Sequence, residues 1–292
     1  MSSLFEDGGP ENSLFEAIRT GVRPPEVETR QRADAYWSTF EPFADRNFAS
    51  EFRIHSHERY WEMYLTCLLL EQGRPIECPK PGPDILVDEP SGRIWIEAVA
   101  ASRGASESPD RVPDFDYGVA FEYPEEQILL RYRTAIDQKH GKFDKYATDG
   151  IVASSETCVV AVHAGGTPLA SSDDEEVPRI AQAVFPFGEI FVQLEATTGT
   201  VIRSGREYRP AIAKSSGSVV STDLFLDPQY AAISAIFFSS AGISNPPIAP
   251  GADIIVVHNP LATNPLERGW LGCGAEYVLE ARKTAYELVR TR

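Results

Sequence analysis

Two short β-type runs between helical segments constrain the fold more than any other part of this sequence. The runs are DILVD (84–88) and RIWIEAVA (93–100), and the residues EPSG (89–92) separate them. Pro90 and Gly92 take the second and fourth positions of this connection, which suits a type I turn. The two runs therefore predict an antiparallel hairpin.

Helical patterns flank the hairpin on both sides. Residues 26–52 and the run HERYWEMYLTCLLLEQ (57–72) predict helices before it, and Gly73 ends the second of these. After a polar loop at 102–118, the pattern predicts a helix from Glu125 to Tyr146.

The rest of the chain adds further strands and one more helix. Residues 1–25 predict a flexible N-terminal arm with one or two helical turns, and residues 171–179 an acidic surface loop. A final helix is expected from Ala275 to Arg290. Further strands are expected at TCVVAVHA, EIFVQLEA, SAIFFSS and ADIIVVHN. Together these elements predict a mixed α/β fold, a β-sheet flanked by helices, in a single domain over 26–292.

Composition excludes several classes of protein. The 292 residues contain 42% hydrophobic residues, which is ordinary for a globular chain. No apolar run approaches the ~20 residues needed to span a bilayer, and the start lacks a signal-peptide pattern, so a soluble cytoplasmic protein is expected. The four cysteines form no CxxC pair, which disfavours a zinc site or a disulfide framework. A net charge of −16 argues against broad electrostatic binding of nucleic acid but leaves room for a local basic groove.

The hairpin places two acidic residues opposite each other. If Glu89 pairs with Gly92, then Asp84 faces Glu97 on the neighbouring strand, with Cα atoms ~4.5–5.5 Å apart. Two carboxylates at this spacing repel each other unless a cation neutralises them, and oxygen ligands of this kind suit Mg²⁺. An ordinary exposed hairpin with acidic ends is the alternative, and a register slip of one residue would weaken the pairing.

These residues resemble the PD-(D/E)XK nuclease superfamily. The match consists of Pro83-Asp84 at a strand start and Glu97-Ala98-Val99 in an apolar strand, with twelve positions between the two acids. It spans roughly residues 55–165. The resemblance implies a restriction-endonuclease-like core with a central mixed sheet, in which Asp84 and Glu97 bind Mg²⁺ or Mn²⁺ from adjacent strands.

The superfamily also supplies a glutamate from the helix before the hairpin. Glu62 matches this position best because it lies deep in the apolar part of the helix, and Glu58, one turn earlier on the same face, is the alternative. A solvated helix face remains an open explanation for either residue.

The family's lysine, two residues after the second acid, is Val99 in this chain. Lys139 on the following helix is a candidate replacement, because migration of this lysine to the helix is a known variation of the superfamily. An unpaired ammonium on an apolar stripe is costly, so Lys139 either meets a carboxylate or extends past its neighbours to water, unless the helix phase is wrong. Lys142 and Tyr146 resemble polar helix positions near the phosphate. The stripe itself consists of Ile128, Tyr132, Ile136, Lys139, Phe143 and Tyr146.

The resemblance implies a metal-dependent nuclease that hydrolyses nucleic-acid phosphodiester bonds, with DNA favoured over RNA and a homodimer left open. Glu62, Asp84 and Glu97 are the expected metal-binding residues, and Lys139 completes the catalytic set. Because the strand lysine is missing, a catalytically degenerate nuclease fold that acts as a binding or scaffold protein is the second hypothesis. A small-molecule enzyme with its site in the C-terminal third is the third. In that third, His258-Asn259 ends a strand before a proline, which favours a structured turn over a site.

Overall fold

The computed structural model describes residues 3–5, 8–9, 11–114, 118–170, 173, 176–282 and 285–292. Its helices are α1 (Ser13–Thr20), α2 (Pro24–Phe40), α3 (Phe48–Phe52), α4 (Ser56–Glu71), α5 (Glu125–Thr148) and α6 (Arg179–Gln182). Its strands are β1 (Ile76–Glu77), β2 (Ile85–Glu89), β3 (Gly92–Ala100), β4 (Thr157–His163), β5 (Phe187–Leu194), β6 (Val201–Tyr208), β7 (Ala211–Ala213), β8 (Val219–Ser221), β9 (Ala235–Ser239), β10 (Ile255–His258), β11 (Ala275–Ala281) and β12 (Tyr286–Arg290). Single 3₁₀ turns occur at Glu41–Phe43, Leu224–Leu226 and Pro228–Tyr230.

Eight of these strands form one mixed sheet in the order β1-β2-β3-β4-β9-β10-β11-β12. The pairs β3/β4, β4/β9 and β10/β11 are parallel, and the remaining neighbours are antiparallel. Strands β5/β6 and β7/β8 form two separate two-stranded ribbons. The predicted mixed α/β class is therefore confirmed.

Helices cover the central strands on both faces. Because side chains alternate along a strand, Ile94, Ile96 and Ala98 of β3 point to one face and share a core with α4. Trp95 and Val99 point to the other face and share a second core with α5. The strands between the two helical layers are accordingly apolar on both faces, as expected for strands buried on two sides.

The hairpin has the register that the sequence predicts. Glu89 pairs with Gly92 and Ile85 pairs with Ile96, so the next position along the ladder sets Asp84 against Glu97. The predicted stripe of α5 also faces the core. Ile128, Tyr132, Ile136, Lys139 and Phe143 are all buried.

The C-terminal helix predicted for 275–290 is wrong. This segment instead forms β11 and β12, which pair antiparallel with each other, while β11 also pairs in parallel with β10. Tyr277 and Val278 are buried in the sheet. Local periodicity could not reveal this arrangement, because the bonds that fix β11 come from a strand about 20 residues away.

The N-terminal segment packs against the rest of the fold. The one or two helical turns expected there are present as α1, but Leu4, Phe5, Phe15 and Ile18 are buried in the same core as α4. The side chain of Asn12 caps α1 by accepting from the N–H of Phe15 at 2.8 Å. These few apolar residues were sufficient to dock the segment.

Two further sequence predictions differ in detail. The helical stretch predicted at 26–52 consists of α2 and α3 with a 3₁₀ turn between them. In the acidic loop predicted at 171–179, positions 171, 172, 174 and 175 lie outside the described residues, and α6 begins at its last position. Among the described residues, no helix is long and apolar enough to cross a membrane.

Candidate functional site

The candidate site is built on the face of the hairpin that α5 covers. Glu97 lies between Trp95 and Val99 on β3, so its side chain points toward α5, and it is completely buried. Asp84 directly precedes β2 and lies two residues before Leu86, so both point to the same face of the sheet, and Leu86 packs in the core with α5. The two carboxylates therefore share one face of the sheet, as the sequence predicts.

Lys139 reaches this face from α5. Its Nζ donates to Oε1 of Glu97 at 2.9 Å, and its side chain is only 3% exposed. A buried ammonium without a partner would be strongly unfavourable, and Glu97 provides the compensating charge. Of the alternatives left open by the sequence, the structure supports pairing with a carboxylate, and Lys139 does not extend to solvent.

Lys142 binds the same oxygen from the next turn of α5. Its Nζ lies 2.6 Å from Oε1 of Glu97, and its side chain is 44% exposed. Burial lowers the pKa of Lys142, but the hydrogen bond to Glu97 and the charge of that carboxylate outweigh this effect and raise the pKa above its usual value. The sequence placed Lys142 on the correct side of the helix but did not identify its partner.

The second oxygen of Glu97 has a different environment. Oε2 is buried and has no hydrogen-bond partner among the described residues. Tyr146, one turn beyond Lys142, is half-buried, and its pKa is raised by burial and by the charge of Glu97. The site therefore has one buried acceptor that no described side chain meets with normal hydrogen-bond geometry, although the Tyr146 hydroxyl interacts with the Glu97 carboxylate.

Asp84 is fixed by the backbone of the neighbouring strand. Its Oδ2 accepts from the N–H of Ala98 at 2.8 Å. Burial and the negative charge of Glu97 raise the pKa of Asp84, and the positive charge of Lys139 opposes that shift. The sequence suggested that a metal ion must relieve the repulsion between Asp84 and Glu97, whereas in the structure two lysines already offset much of it.

Glu62 approaches the site from the opposite side of the sheet, on α4. It is buried, and Arg59 donates to its Oε2 at 2.6 Å. Burial and the charge of Asp84 raise the pKa of Glu62 to about 7, although Arg59 acts against this rise. Glu58, the alternative candidate, is exposed. Glu62 is thus close enough to Asp84 for the two negative charges to interact, but the carboxylate of Glu62 is already bound by Arg59.

The donor set fits a hard divalent cation in part. Two carboxylates together with water and a substrate phosphate are a usual environment for Mg²⁺, and the unpartnered Oε2 of Glu97 is a suitable ligand atom. Within the described parts of the chain, however, no group of three or more His, Cys, Asp or Glu side chains is arranged to hold a metal ion. Asp84 and Glu97 thus form a ligand pair, and Glu62 does not complete a triad with them.

Val99 and the pair His258-Asn259 lie in environments that fit roles in packing and hydrogen bonding. Val99 is buried in the apolar core under α5, so the position two residues after Glu97 contributes packing. His258 contacts Oε1 of Glu276 at 2.6 Å, and the amide of Asn259 donates to the carbonyls of Tyr230 and Ile233. These contacts agree with the structured turn expected at His258-Asn259.

Comparison of the chain with protein-family models, curated proteins and solved structures found no match. The function is therefore argued from the side chains around Glu97.

Proposed function

We propose that this protein is a metal-dependent phosphodiesterase that hydrolyses nucleic-acid phosphodiester bonds in the cytoplasm, with DNA as the favoured substrate. One observation carries the proposal. Asp84 and Glu97 share a face of the hairpin, and the buried ammonium of Lys139 lies 2.9 Å from Glu97. Two acids and a lysine in this arrangement are what the resemblance to PD-(D/E)XK nucleases implies, with the lysine on α5 instead of β3.

Asp84 and Glu97 would hold Mg²⁺ or Mn²⁺, using the free oxygen of Glu97. The bound ion would lower the pKa of a coordinated water and offset charge on the phosphate. Lys139 would orient the attacking water and stabilise negative charge that develops on the phosphate oxygens. Glu62, next to Asp84, would accept a hydrogen bond from water at the edge of the site.

The distribution of charge supports a nucleic-acid substrate. The chain as a whole has a net charge of −16, yet Lys139 and Lys142 of α5 both bind Glu97 at the acid pair. With a metal ion neutralising the carboxylates, the ammonium groups of Lys139 and Lys142 would supply local positive charge for a phosphate backbone.

A second candidate function rests on a specific observation. Lys139 and Lys142 bring two positive charges to two carboxylates, so the cluster is neutral without any metal ion. A degenerate nuclease fold that serves as a binding or scaffold protein would have this internal neutrality. It would also need no third metal ligand.

Metal-dependent cleavage by Asp84→Asn separates the two functions. Asparagine can still accept the hydrogen bond from Ala98, so the variant removes charge with little change of structure. We expect Mg²⁺- or Mn²⁺-dependent cleavage of DNA to fall roughly 100-fold or more. Asp88→Asn is the matched control, because Asp88 lies on the adjoining strand β2 and is exposed, and this change should leave cleavage unaltered.

Two further measurements decide between the candidates. A metal ion bound at about 100 times its Kd should stabilise the wild-type fold by about 2.7 kcal/mol, which a melting scan detects. If wild type neither cleaves DNA or RNA nor gains stability with millimolar Mg²⁺ or Mn²⁺, the nuclease function is refuted and the scaffold function is favoured. Lys139→Met should abolish cleavage, and Val99→Lys in that background should restore part of it.

A further inference from the structure

Two ammonium groups compete for a single carboxylate oxygen at the centre of the site. Both Lys139 and Lys142 donate to Oε1 of Glu97, at 2.9 and 2.6 Å. The adjacent Oε2 has no partner among the described residues. Two like charges on one oxygen repel each other, so this arrangement holds more positive charge than Glu97 alone needs.

The two lysines differ in how freely they can leave. The side chain of Lys139 is 3% exposed and lies in the apolar stripe of α5, so its ammonium has no aqueous alternative. The side chain of Lys142 is 44% exposed, and rotation about its flexible stem would return its ammonium to water once a divalent cation takes its place at Glu97. Of the two cations, only Lys142 can be exchanged.

We propose that Lys142 is the exchangeable cation of this site. It neutralises the carboxylate pair in the absence of metal, leaves Glu97 when a divalent cation binds, and then contacts the phosphate backbone of the nucleic acid. The last of these steps rests on the proposed function, and the exchange with metal does not.

Charge balance explains why an exchange is needed. With both lysines in place, the two carboxylates are already neutralised, and an added divalent cation would face two nearby ammonium groups. After Lys142 leaves, Asp84, Glu97, Lys139 and the metal together carry one positive charge, which matches one phosphodiester. The position of Lys142 at the solvent side of Glu97 places the released ammonium where a substrate would approach.

Titration with Mn²⁺ alone tests the exchange, independently of cleavage. Lys142→Met keeps the apolar stem and removes the competing charge, so its affinity for Mn²⁺ should be about 10-fold higher than that of wild type. Lys142→Arg restores a cation and should bind Mn²⁺ with nearly wild-type affinity. Lys145→Met removes the same charge from an exposed position one turn along α5, within the described helix, and should change the affinity less than 2-fold.

A chemical footprint gives a second measurement on the wild-type protein. Because Lys142 is bound to Glu97 without metal, an amine-acylating reagent should modify it several-fold faster when Mn²⁺ is present, while Lys145 should react at the same rate in both states. Equal Mn²⁺ affinities for Lys142→Met and Lys145→Met, or an acylation rate at Lys142 that does not respond to Mn²⁺, would overturn the proposal.

The outcome also separates this inference from the proposed function. Tighter Mn²⁺ binding by Lys142→Met in a protein that cleaves no nucleic acid would retain the exchange and reject the nuclease. Metal-dependent cleavage with no effect of Lys142→Met on Mn²⁺ affinity would retain the nuclease and reject the exchange. Where both hold, Lys142→Met should raise KM for DNA more than it lowers kcat, because the lost contact is to the phosphate backbone.

Discussion

The buried pair between Lys139 and Glu97 predicts strong energetic coupling between these residues. Breaking a buried ion pair by removing one partner costs about 3–5 kcal/mol, mainly because a charge is left without compensation. For Lys139→Met we expect about 2–3 kcal/mol, since Lys142 remains 2.6 Å from the same carboxylate and methionine retains the apolar stem. Glu97→Gln should cost a similar amount, because it leaves the Lys139 ammonium, 3% exposed, beside a neutral amide.

The double variant provides the decisive comparison. Lys139→Met with Glu97→Gln removes both charges together, so its loss should be about 2 kcal/mol smaller than the sum of the two single losses. Urea unfolding at pH 7.5 in EDTA measures all four proteins without interference from metal. Each kcal/mol corresponds to about 2 °C in Tm for a chain of this size, so a thermal scan gives an independent estimate.

Additivity would refute this reasoning. If the loss of the double variant equals the sum of the single losses to within about 0.5 kcal/mol, the two side chains do not interact in solution as the geometry requires. Lys145→Met serves as the control for removing a lysine from α5, and its effect should stay within about 0.5 kcal/mol because Lys145 is exposed.

Two further predictions concern Glu62 and the N-terminal segment. The pKa of Glu62 is about 7 in the folded protein and about 4.5 in the unfolded chain, so between these values the folded state holds the proton more tightly. Ionising Glu62 should therefore cost about 3 kcal/mol of stability as pH rises across that interval. Urea unfolding at pH 5 and 7.5 should show that the stability of Glu62→Gln rises relative to that of wild type at the higher pH. The exposed-site variant Glu58→Gln is the control and should keep the pH dependence of wild type. If the stability of Glu62→Gln depends on pH in the same way as that of wild type or of Glu58→Gln, the prediction is contradicted. Phe15→Ala should destabilise the fold by about 3–5 kcal/mol, since Phe15 is completely buried, whereas Val22→Ala, at a position 86% exposed, should change stability by less than about 0.5 kcal/mol. Similar losses for those two alanine variants in urea would mean that the segment does not pack in solution.

The features that the sequence predicted correctly depend on short-range rules. The connection at 89–92 fixes the hairpin register by its turn residues, and the register then determines which side chain faces Glu97. For Lys139 a similar local argument left two outcomes open, a carboxylate partner or extension to water, because an unpaired ammonium on an apolar helical stripe is costly, and the structure shows the first. Neither conclusion needed information from distant parts of the chain.

The features that the sequence missed depend on distant partners. Strand β11 is stabilised by parallel pairing with β10, and its run of apolar and acidic residues is equally compatible with a helix when read alone. The bond from Lys142 to Glu97 was missed for a related reason. Its exposed position on α5 is satisfied by water as well as by a carboxylate, so no energetic penalty in the sequence required a partner.

The same residues that attach α5 to the sheet also position its ammonium groups. Ile136 and Phe143 are buried on either side of Lys139, so packing of the helix fixes the depth at which the lysine side chain starts. A lysine at Val99 would instead place a charged side chain within the apolar core, with Glu97 on the same face of β3 as the carboxylate it would need. Placing the ammonium on α5 keeps β3 apolar at Val99 and still brings the charge to Glu97. The geometry of the acid pair and its lysine therefore depends on how firmly α5 packs against the sheet, and variants that loosen this helix should disturb the site before they unfold the protein.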